Sequence, residues 1–284
     1  MTFFINSLLF GLTAGATYAL VAAGLSFLFG VMGAAFMAHG AVFALGAYVM
    51  YLLNAVHAVP APLAILIAGA VAALVGVIVE FVMHRRLWHD IDLALVAYVG
   101  LLWAMEGALQ IVFGPDPKTV PTFVPGQAEL ANGVSISMQR LLLLPTALVV
   151  VVGIWLALQR TRFGLYVRAV KSNREASSTL GINTQLVNSS VFAVSLAIAA
   201  IAGAITSPLI NVTPTMGFDP LLKSFIIVIL GGMGSFGATV LAAFAFGLLE
   251  SVLVSQFGAG TGLLMVFLGV AVFLVIRPKG IAGT

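Results

Sequence analysis

The sequence contains no cysteine and few charged residues, and each of these absences limits what the protein can be. Without cysteine, disulfide bonds and thiol chemistry are excluded. Charged residues make up 7% of the 284 residues, whereas a soluble domain carries about 25%. Hydrophobic residues make up 62% and leave no room for a soluble domain of ordinary size. The composition therefore predicts a polytopic membrane protein.

Sequence motifs for nucleotide binding and for hydrolysis are also missing. The nearest approach to a phosphate-binding loop, GFDPLLKS at 217–224, lacks the second glycine of GxxxxGK[ST] and begins an apolar segment. No HExxH, no GxSxG and no His/Asp cluster occurs within the apolar segments. We therefore expect no catalytic residues, no metal site and no cofactor in this chain, and an intramembrane enzyme is disfavoured.

Apolar segments recur along the chain, and most are long enough to cross a hydrocarbon core of about 30 Å as a helix. They span 6–29, 36–53, 60–83, 91–113, 141–158, 187–208, 221–231, 235–256 and 261–276. The segment 221–231 is too short to cross as an untilted helix. The pattern predicts an all-α polytopic membrane protein with about eight transmembrane helices and a broken or re-entrant helix near 221–237.

Positive charge divides the connecting segments into two classes. Nine of the twelve basic residues lie in the loops 84–90, 159–186 and 277–284. The positive-inside rule therefore predicts that these three loops are cytoplasmic. The loop 114–140, rich in proline, glycine and small polar residues, is then external, and we expect it to be irregular.

The side of the N-terminus depends on the first two apolar segments. Counting back from the loop 84–90 places the N-terminus outside if 6–29 and 36–53 are both complete crossings. The glycine-punctuated segment 30–40 could instead break within the membrane. Its FGVMG at 29–33 resembles LGGMG at 230–234, and this echo fits either an internal duplication with corresponding breaks or a chance match.

The loop 159–186 contains residues that typically start and end a short helix. Ser172 and Glu175 fit a capping box with Ser172 as the N-cap, and Gly181 is placed to end the helix in a left-handed conformation. Asn183 or Thr184 would cap the next span. The helix could lie in an ordinary basic loop that meets anionic headgroups, or it could dock a cytoplasmic partner. Docking is favoured because the segment lacks the long amphipathic face of a membrane-surface helix.

Four glycines interrupt the apolar stretch 225–247, FIIVILGGMGSFGATVLAAFAFG. They could allow helices to pack closely. They could instead end a half-helix and leave backbone groups facing a pathway. A plain turn at the membrane surface is the third interpretation.

Ionisable residues within apolar segments are costly and call for a specific explanation. Glu80 precedes two arginines closely enough to form an interfacial ion pair. Glu106 and Glu250 could form structural hydrogen bonds or, in a proton-coupled secondary transporter, carry protons. His39 could line a path or bond a carbonyl. The sequence shows no paired intramembrane acid and base, which argues against the secondary transporter.

Four motifs in order resemble the permease subunits of ABC importers for branched-chain amino acids. They are GLTAGATYALVAAGLSFLFGVMGAAFMAHGAVFALGAY at 11–48, RTRFGLYVRAVKSNREASSTLGIN at 160–183, LGGMGSFGA at 230–238 and RPKGIAG at 277–283. The resemblance extends over nearly the whole chain.

This resemblance implies one transmembrane permease domain over 1–284, with a cytoplasmic coupling loop at about 159–186 and an external loop at about 114–140. The implied partners are a homologous second permease, two cytoplasmic ATPases that use ATP, a periplasmic or extracellular solute-binding protein and membrane lipid, with no nucleic acid. The implied location is a bacterial inner membrane. Branched-chain amino acids are the expected solute, and urea or short amides are the alternative.

The resemblance and the polar residues together give two sets of candidate site residues. The set expected to couple the chain to an ATPase is Arg168, Ser172, Arg174, Glu175, Ala176 and Gly181. The set expected along the translocation pathway is Tyr18, Met32, His39, Glu106, Gly231, Gly232, Gly234 and Gly237.

Overall fold

The computed structural model describes residues 2–33, 35–130 and 134–282, and these residues form eleven helices and one β-hairpin. The helices are α1 (Thr2–Met32), α2 (His39–Val56), α3 (Ala61–Leu87), α4 (Ile91–Phe113), α5 (Met138–Arg160), α6 (Arg162–Ser172), α7 (Arg174–Thr179), α8 (Thr184–Thr206), α9 (Phe218–Gly231), α10 (Phe236–Phe257) and α11 (Ala259–Ile276). Eight of them, all except α6, α7 and α9, are long and apolar enough to cross a membrane. The predicted all-α polytopic fold is confirmed.

α1 and α8 form the centre of the bundle, since most of their residues are buried. α1 packs antiparallel against α10 through small residues: Gly15 faces Gly247, and the Ser7 and Ser255 hydroxyls lie 2.8 Å apart. α4, α5 and α11 lie at the periphery and expose apolar side chains. These exposed faces suit contact with lipid or with a second membrane subunit.

The three basic loops converge at one end of the bundle, which we call the basic end. Three contacts link these loops to one another and to the ends of α9 and α10: the Arg174 guanidinium lies 4.1 Å from the centre of the Trp88 ring, Lys171 Nζ donates to the Gly234 carbonyl, and the Ile281 amide donates to the Leu230 carbonyl. Since these loops share one end, a single orientation satisfies the positive-inside rule for all three.

The opposite end, which we call the far end, holds the beginning of α1 and the loop between α4 and α5. Phe10 of α1 lines a cavity there with Ile210, and the Lys118 and Val212 backbones pair with each other. α1 therefore runs from the far end to the basic end, which agrees with an external N-terminus if the basic end is cytoplasmic.

Part of the far-end loop is regular, so the expectation of an irregular segment is wrong there. Strands β1 (Gln127–Leu130) and β2 (Val134–Ser137) pair antiparallel, with Gln127 opposite Ser137. The sequence VSIS alternates branched apolar and polar residues, which is the period-two pattern of a strand. The proline and glycine content of the loop concealed this short signal.

The predicted broken helix near 221–237 is confirmed. α9 ends at Gly231, Gly232 and Gly234 have φ values of +96° and +83°, and α10 begins at Phe236. These left-handed conformations are open to glycine at little cost. The carbonyls of Leu230 and Gly231 do not remain unpaired, because the amides of residues 281 and 282 donate to them at 2.8 and 3.2 Å.

Close packing and helix termination both apply at this break. A Cβ on Gly231 would lie 2.6 Å from Thr239 Cα, and a Cβ on Gly234 would lie 2.9 Å from Gly30 Cα. Gly237, in contrast, faces open space. Close packing of helices and the end of a half-helix, two of the three explanations proposed for the glycines, are therefore compatible.

A second break separates α1 from α2. α1 ends at Met32 and Gly33 has a φ of +68°, yet His39 at the start of α2 lies beside Val21, with its Nε2 3.2 Å from the Val21 carbonyl oxygen. Eleven residues of helix separate Val21 from Met32, a rise of about 16 Å. α2 therefore starts inside the bundle, and the break considered for 30–40 is present.

We predict the sidedness of the two ends by cysteine labelling, since the chain has no native cysteine. Ser172→Cys lies exposed at the basic end and Thr119→Cys lies exposed at the far end. An impermeant maleimide added to intact cells is expected to label Thr119→Cys but not Ser172→Cys, and both should react in broken membranes. Labelling of Ser172→Cys in intact cells would reverse the assignment.

Candidate functional site

The coupling loop contains two helices, α6 and α7, and the predicted capping box at Ser172 and Glu175 is wrong. Ser172 is the last residue of α6, and the N-cap of α7 is Asn173, whose side chain accepts from the Ala176 amide at 2.9 Å. Thr161 caps α6, a helix that the sequence interpretation did not include. Because α6 runs on to Ser172, Ser172 ends that helix and cannot cap the next one. Asn caps as well as Ser, which left the position ambiguous.

Two other predictions about this loop are confirmed. Gly181 follows α7 with a φ of +81°, as a helix-ending glycine does. The Asn183 side chain caps α8 by accepting from the Leu186 amide at 3.0 Å. These defined ends limit fraying of the short α7 helix, which in isolation would be marginal.

α6 is anchored against the bundle, while α7 is largely exposed. Val167 and Val170 of α6 are buried against Phe27 and α8, and Arg168 donates to the Leu158 carbonyl. On α7 only Ser177 is buried. The loop therefore has a fixed base and an exposed tip.

The exposed tip is small and weakly charged. Glu175 and Ala176 are exposed, and the Leu180 side chain after α7 is 80% exposed. Arg174 is partly buried, and its guanidinium stacks on Trp88. In this structure Arg174 therefore ties the tip to the loop after α3, whereas Glu175, Ala176 and Leu180 remain available to another protein.

Lys171 connects this loop to the broken helix. Its Nζ lies 2.8 Å from the Gly234 carbonyl oxygen, at the point where Gly234 also meets Gly30 of α1. Beside this contact lies a cavity of about 280 Å³, lined in part by Ser26, Trp155 and Gly237. A displacement of α6 would therefore act directly on the break between α9 and α10.

The residues proposed for the pathway do not form one site. Gly231, Gly232, Gly234 and Gly237 lie at the break, and Met32 ends α1 at the same basic end. His39 is fully buried, with Nε2 against the Val21 carbonyl. Glu106 is partly exposed on α4, near the exposed Trp103. Tyr18 belongs to a separate polar cluster.

That cluster overturns one sequence-based inference, the absence of a paired intramembrane acid and base. Lys223 Nζ lies 2.7 Å from Glu250, 2.9 Å from Asp219 and 3.0 Å from the Tyr18 hydroxyl. The Lys223 and Glu250 side chains are 9% and 12% exposed. The sequence did indicate one acid and base pair, because Asp219 and Lys223 are four residues apart and so share one face of α9.

The ion pair predicted at Glu80 is confirmed. Arg85 lies 2.9 Å from the Glu80 carboxylate, whose side chain is 1% exposed, and the Ser189 hydroxyl donates to the same carboxylate at 2.6 Å. This pair joins α3 to α8 near the basic end. It has a structural explanation and needs no role in proton transfer.

A bundle of helices long and apolar enough to cross a membrane, with an interrupted helix beside an anchored loop, is an architecture found in membrane transporters. The family described as "Branched-chain amino acid transport system / permease component" matches residues 7–276, and the chain belongs to this family. It is 29% identical to the high-affinity branched-chain amino acid permease protein BraD of Pseudomonas aeruginosa, over 99% of this chain and 96% of that relative.

Further relatives extend this comparison. The chain is 26% identical to the high-affinity branched-chain amino acid permease protein LivH of Escherichia coli, over 99% of this chain and 96% of that relative. A shorter match, 35% identical over 30% of this chain and 24% of the relative, is to the fructose import permease protein FrcC of Rhizobium meliloti. No solved structure matches the chain.

We predict that Lys223 and Glu250 depend on each other for stability. Lys223→Met leaves a buried carboxylate without its partner and is expected to cost about 3–5 kcal/mol, whereas Lys223→Met combined with Glu250→Leu should recover most of that loss. Thermal unfolding of the purified variants measures the difference. Equal destabilisation in the single and double variants would show that the pair is not the source of the effect.

Proposed function

We propose that this chain is one of two membrane-spanning permease subunits of an ATP-driven ABC importer in a bacterial inner membrane. A homologous permease completes the membrane part, two cytoplasmic ATPases hydrolyse ATP, and a solute-binding protein delivers the solute to the far end. Membership of the permease family over residues 7–276 supports this role. In this division of labour the chain is a transport subunit and not an enzyme.

The observation that carries the proposal is the contact between Lys171 and the Gly234 carbonyl. α7 offers an exposed tip to the ATPase, and α6 holds that tip to the bundle. Lys171, in the last turn of α6, donates to the Gly234 carbonyl at the break between α9 and α10. Closure of the ATPases on ATP would move α6, and the movement would reach the break without passing through a flexible segment. The exposed tip suits docking of the ATPase, and the anchored base suits transmission of its movement to the break.

Branched-chain amino acids are the solute that we propose. BraD and LivH, which match over nearly the full chain, are both named as branched-chain amino acid transport permease proteins. Urea or short amides remain the alternative for an importer of this type. The shorter match to a fructose import permease concerns less than a third of the chain and does not favour a sugar.

One observation favours a second candidate, a proton-coupled secondary transporter. The buried Lys223 and Glu250 pair is the arrangement that such a transporter uses to carry a proton. That candidate requires no ATPase, so uptake in vesicles distinguishes the two. Uptake that needs ATP and persists after the proton gradient is collapsed supports the importer, and the opposite pattern supports the secondary transporter.

We predict that Ala176→Glu prevents docking of the ATPase. The added charged side chain would occupy the exposed surface of α7 without disturbing the bundle, because Ala176 makes no buried packing contact. Co-purification of the ATPase should fall, together with solute-stimulated ATP hydrolysis. Thr119→Glu adds the same charge at the far end and should change neither. Full co-purification and stimulation with Ala176→Glu would exclude α7 as the docking element.

Lys171→Met separates docking from coupling. This variant keeps the α7 tip but loses the hydrogen bond to the Gly234 carbonyl, so the ATPase should still co-purify while solute uptake falls several-fold. Arg162→Met removes an exposed positive charge from the same helix α6 and is the matched control. Equal uptake by the Lys171→Met and Arg162→Met variants would contradict a coupling role for Lys171.

A further inference from the structure

The far end of the bundle contains a cavity of about 220 Å³ that the coupling path does not involve. It lies between α1, α2, α5, the end of α8 and the start of α9. Its lining combines two opposite charges, Arg140 and Asp219, with threonine hydroxyls and apolar side chains such as Leu143 and Leu209. Ligand sites are typically of this kind, mostly apolar with a few convergent polar groups.

Arg140 is the positive group of this cavity and is available to an anion. Its guanidinium packs 4.6 Å from the centre of the Phe10 ring. Within the described ranges of the chain no carboxylate forms an ion pair with Arg140. A partly buried arginine presents a planar fork of donors that fits a carboxylate in a bidentate manner.

Asp219 is the negative group, and it lies against the cluster of Lys223, Glu250 and Tyr18. Lys223 Nζ lies 2.9 Å from one Asp219 oxygen, yet the Asp219 side chain, which lines the cavity, is 70% exposed. Lys223 is also paired with Glu250 at 2.7 Å. An ammonium group can therefore bind Asp219 without leaving Lys223 as an uncompensated buried charge.

The hydroxyl groups add acceptors for an ammonium ion. Thr13 donates to the Phe10 carbonyl at 2.9 Å and Thr206 donates to the Ala202 carbonyl at 2.7 Å. Because each hydroxyl already donates its proton to a backbone carbonyl, it can act only as an acceptor towards a group in the cavity.

We propose that this cavity is a solute site for a small zwitterion, with Arg140 binding the carboxylate, Asp219 binding the ammonium group and the apolar lining receiving an aliphatic side chain. The proposal rests on the importer function and names the solute class that the chain itself recognises. An uncharged solute such as urea would leave both charged groups without a partner. An anionic lipid headgroup would use Arg140 but would be repelled by Asp219.

Equilibrium binding of labelled leucine to the full chain in phosphatidylcholine nanodiscs tests the site without the ATPase or the binding protein. Arg140→Gln and Asp219→Asn should each weaken binding about tenfold or more, since each removes a charge-assisted contact. Arg140→Lys should fall between Arg140→Gln and the unmodified chain, because it keeps the charge but loses the fork. Lys118→Gln and Asp116→Asn remove charges outside the cavity at the same end and should bind normally.

Analogues of leucine identify which group of the solute Arg140 and Asp219 each bind. Leucinamide lacks the carboxylate and 4-methylpentanoate lacks the ammonium group, so both should compete at least tenfold more weakly than leucine. Arg140→Gln should weaken leucine binding while leaving leucinamide binding unchanged, whereas loss of folding would weaken both. Thermal unfolding confirms that each variant is folded.

Three results would overturn the proposal. They are unchanged leucine binding by both charge variants, competition by urea as strong as that by leucine, and displacement of leucine by anionic lipid. Absence of leucine binding by the unmodified chain would also overturn it. None of these touches the importer function, which is decided separately by ATPase co-purification and by ATP-dependent uptake.

Discussion

The structure depends on satisfying the backbone at the end of α9, where Leu230, Gly231 and Gly232 are buried at the basic end of the bundle. Each unpaired backbone group in such a place costs several kcal/mol. At the end of α9 the carbonyls of Leu230 and Gly231 accept from the segment that follows α11, and the Gly234 carbonyl accepts from Lys171. The break is therefore held by the two basic loops that meet there. This explains why the loops, the break and the end of α1 lie together.

A second regularity concerns charge. Of the twelve basic residues, only Lys118, Arg140 and Lys223 lie outside the three basic loops. Arg140 lines the far-end cavity, and Lys223 pairs with the Asp219 that lines it. Two of the three exceptions to the positive-inside pattern thus lie at or beside the far-end cavity. Residues that break a local rule without an evident packing gain are often the ones that serve function.

The sequence predicted the architecture well because apolar runs, glycines and basic loops are local signals. The helix break, the Gly181 terminus, the Asn183 cap and the Glu80 ion pair all follow from residues close together in the chain. The Lys223 and Glu250 pair did not, because its partners are separated by the break and meet only when α9 folds back on α10. The capping error at Ser172 arose because two adjacent residues cap equally well and only the start of α6 decides between them. The far-end cavity draws on five separate helices and has no local signal at all.

The bond between the chain after α11 and the end of α9 has a consequence for how the protein is made. The amides of residues 281 and 282 are synthesised after both α10 and α11, so the carbonyls they satisfy have no such partner while those helices enter the membrane. During that interval α9 must be held by other groups or remain partly unformed. Folding of the permease would then be complete only when residues 281 and 282 bond to the end of α9. A substitution in this segment would therefore slow or prevent maturation of the protein before it impaired transport.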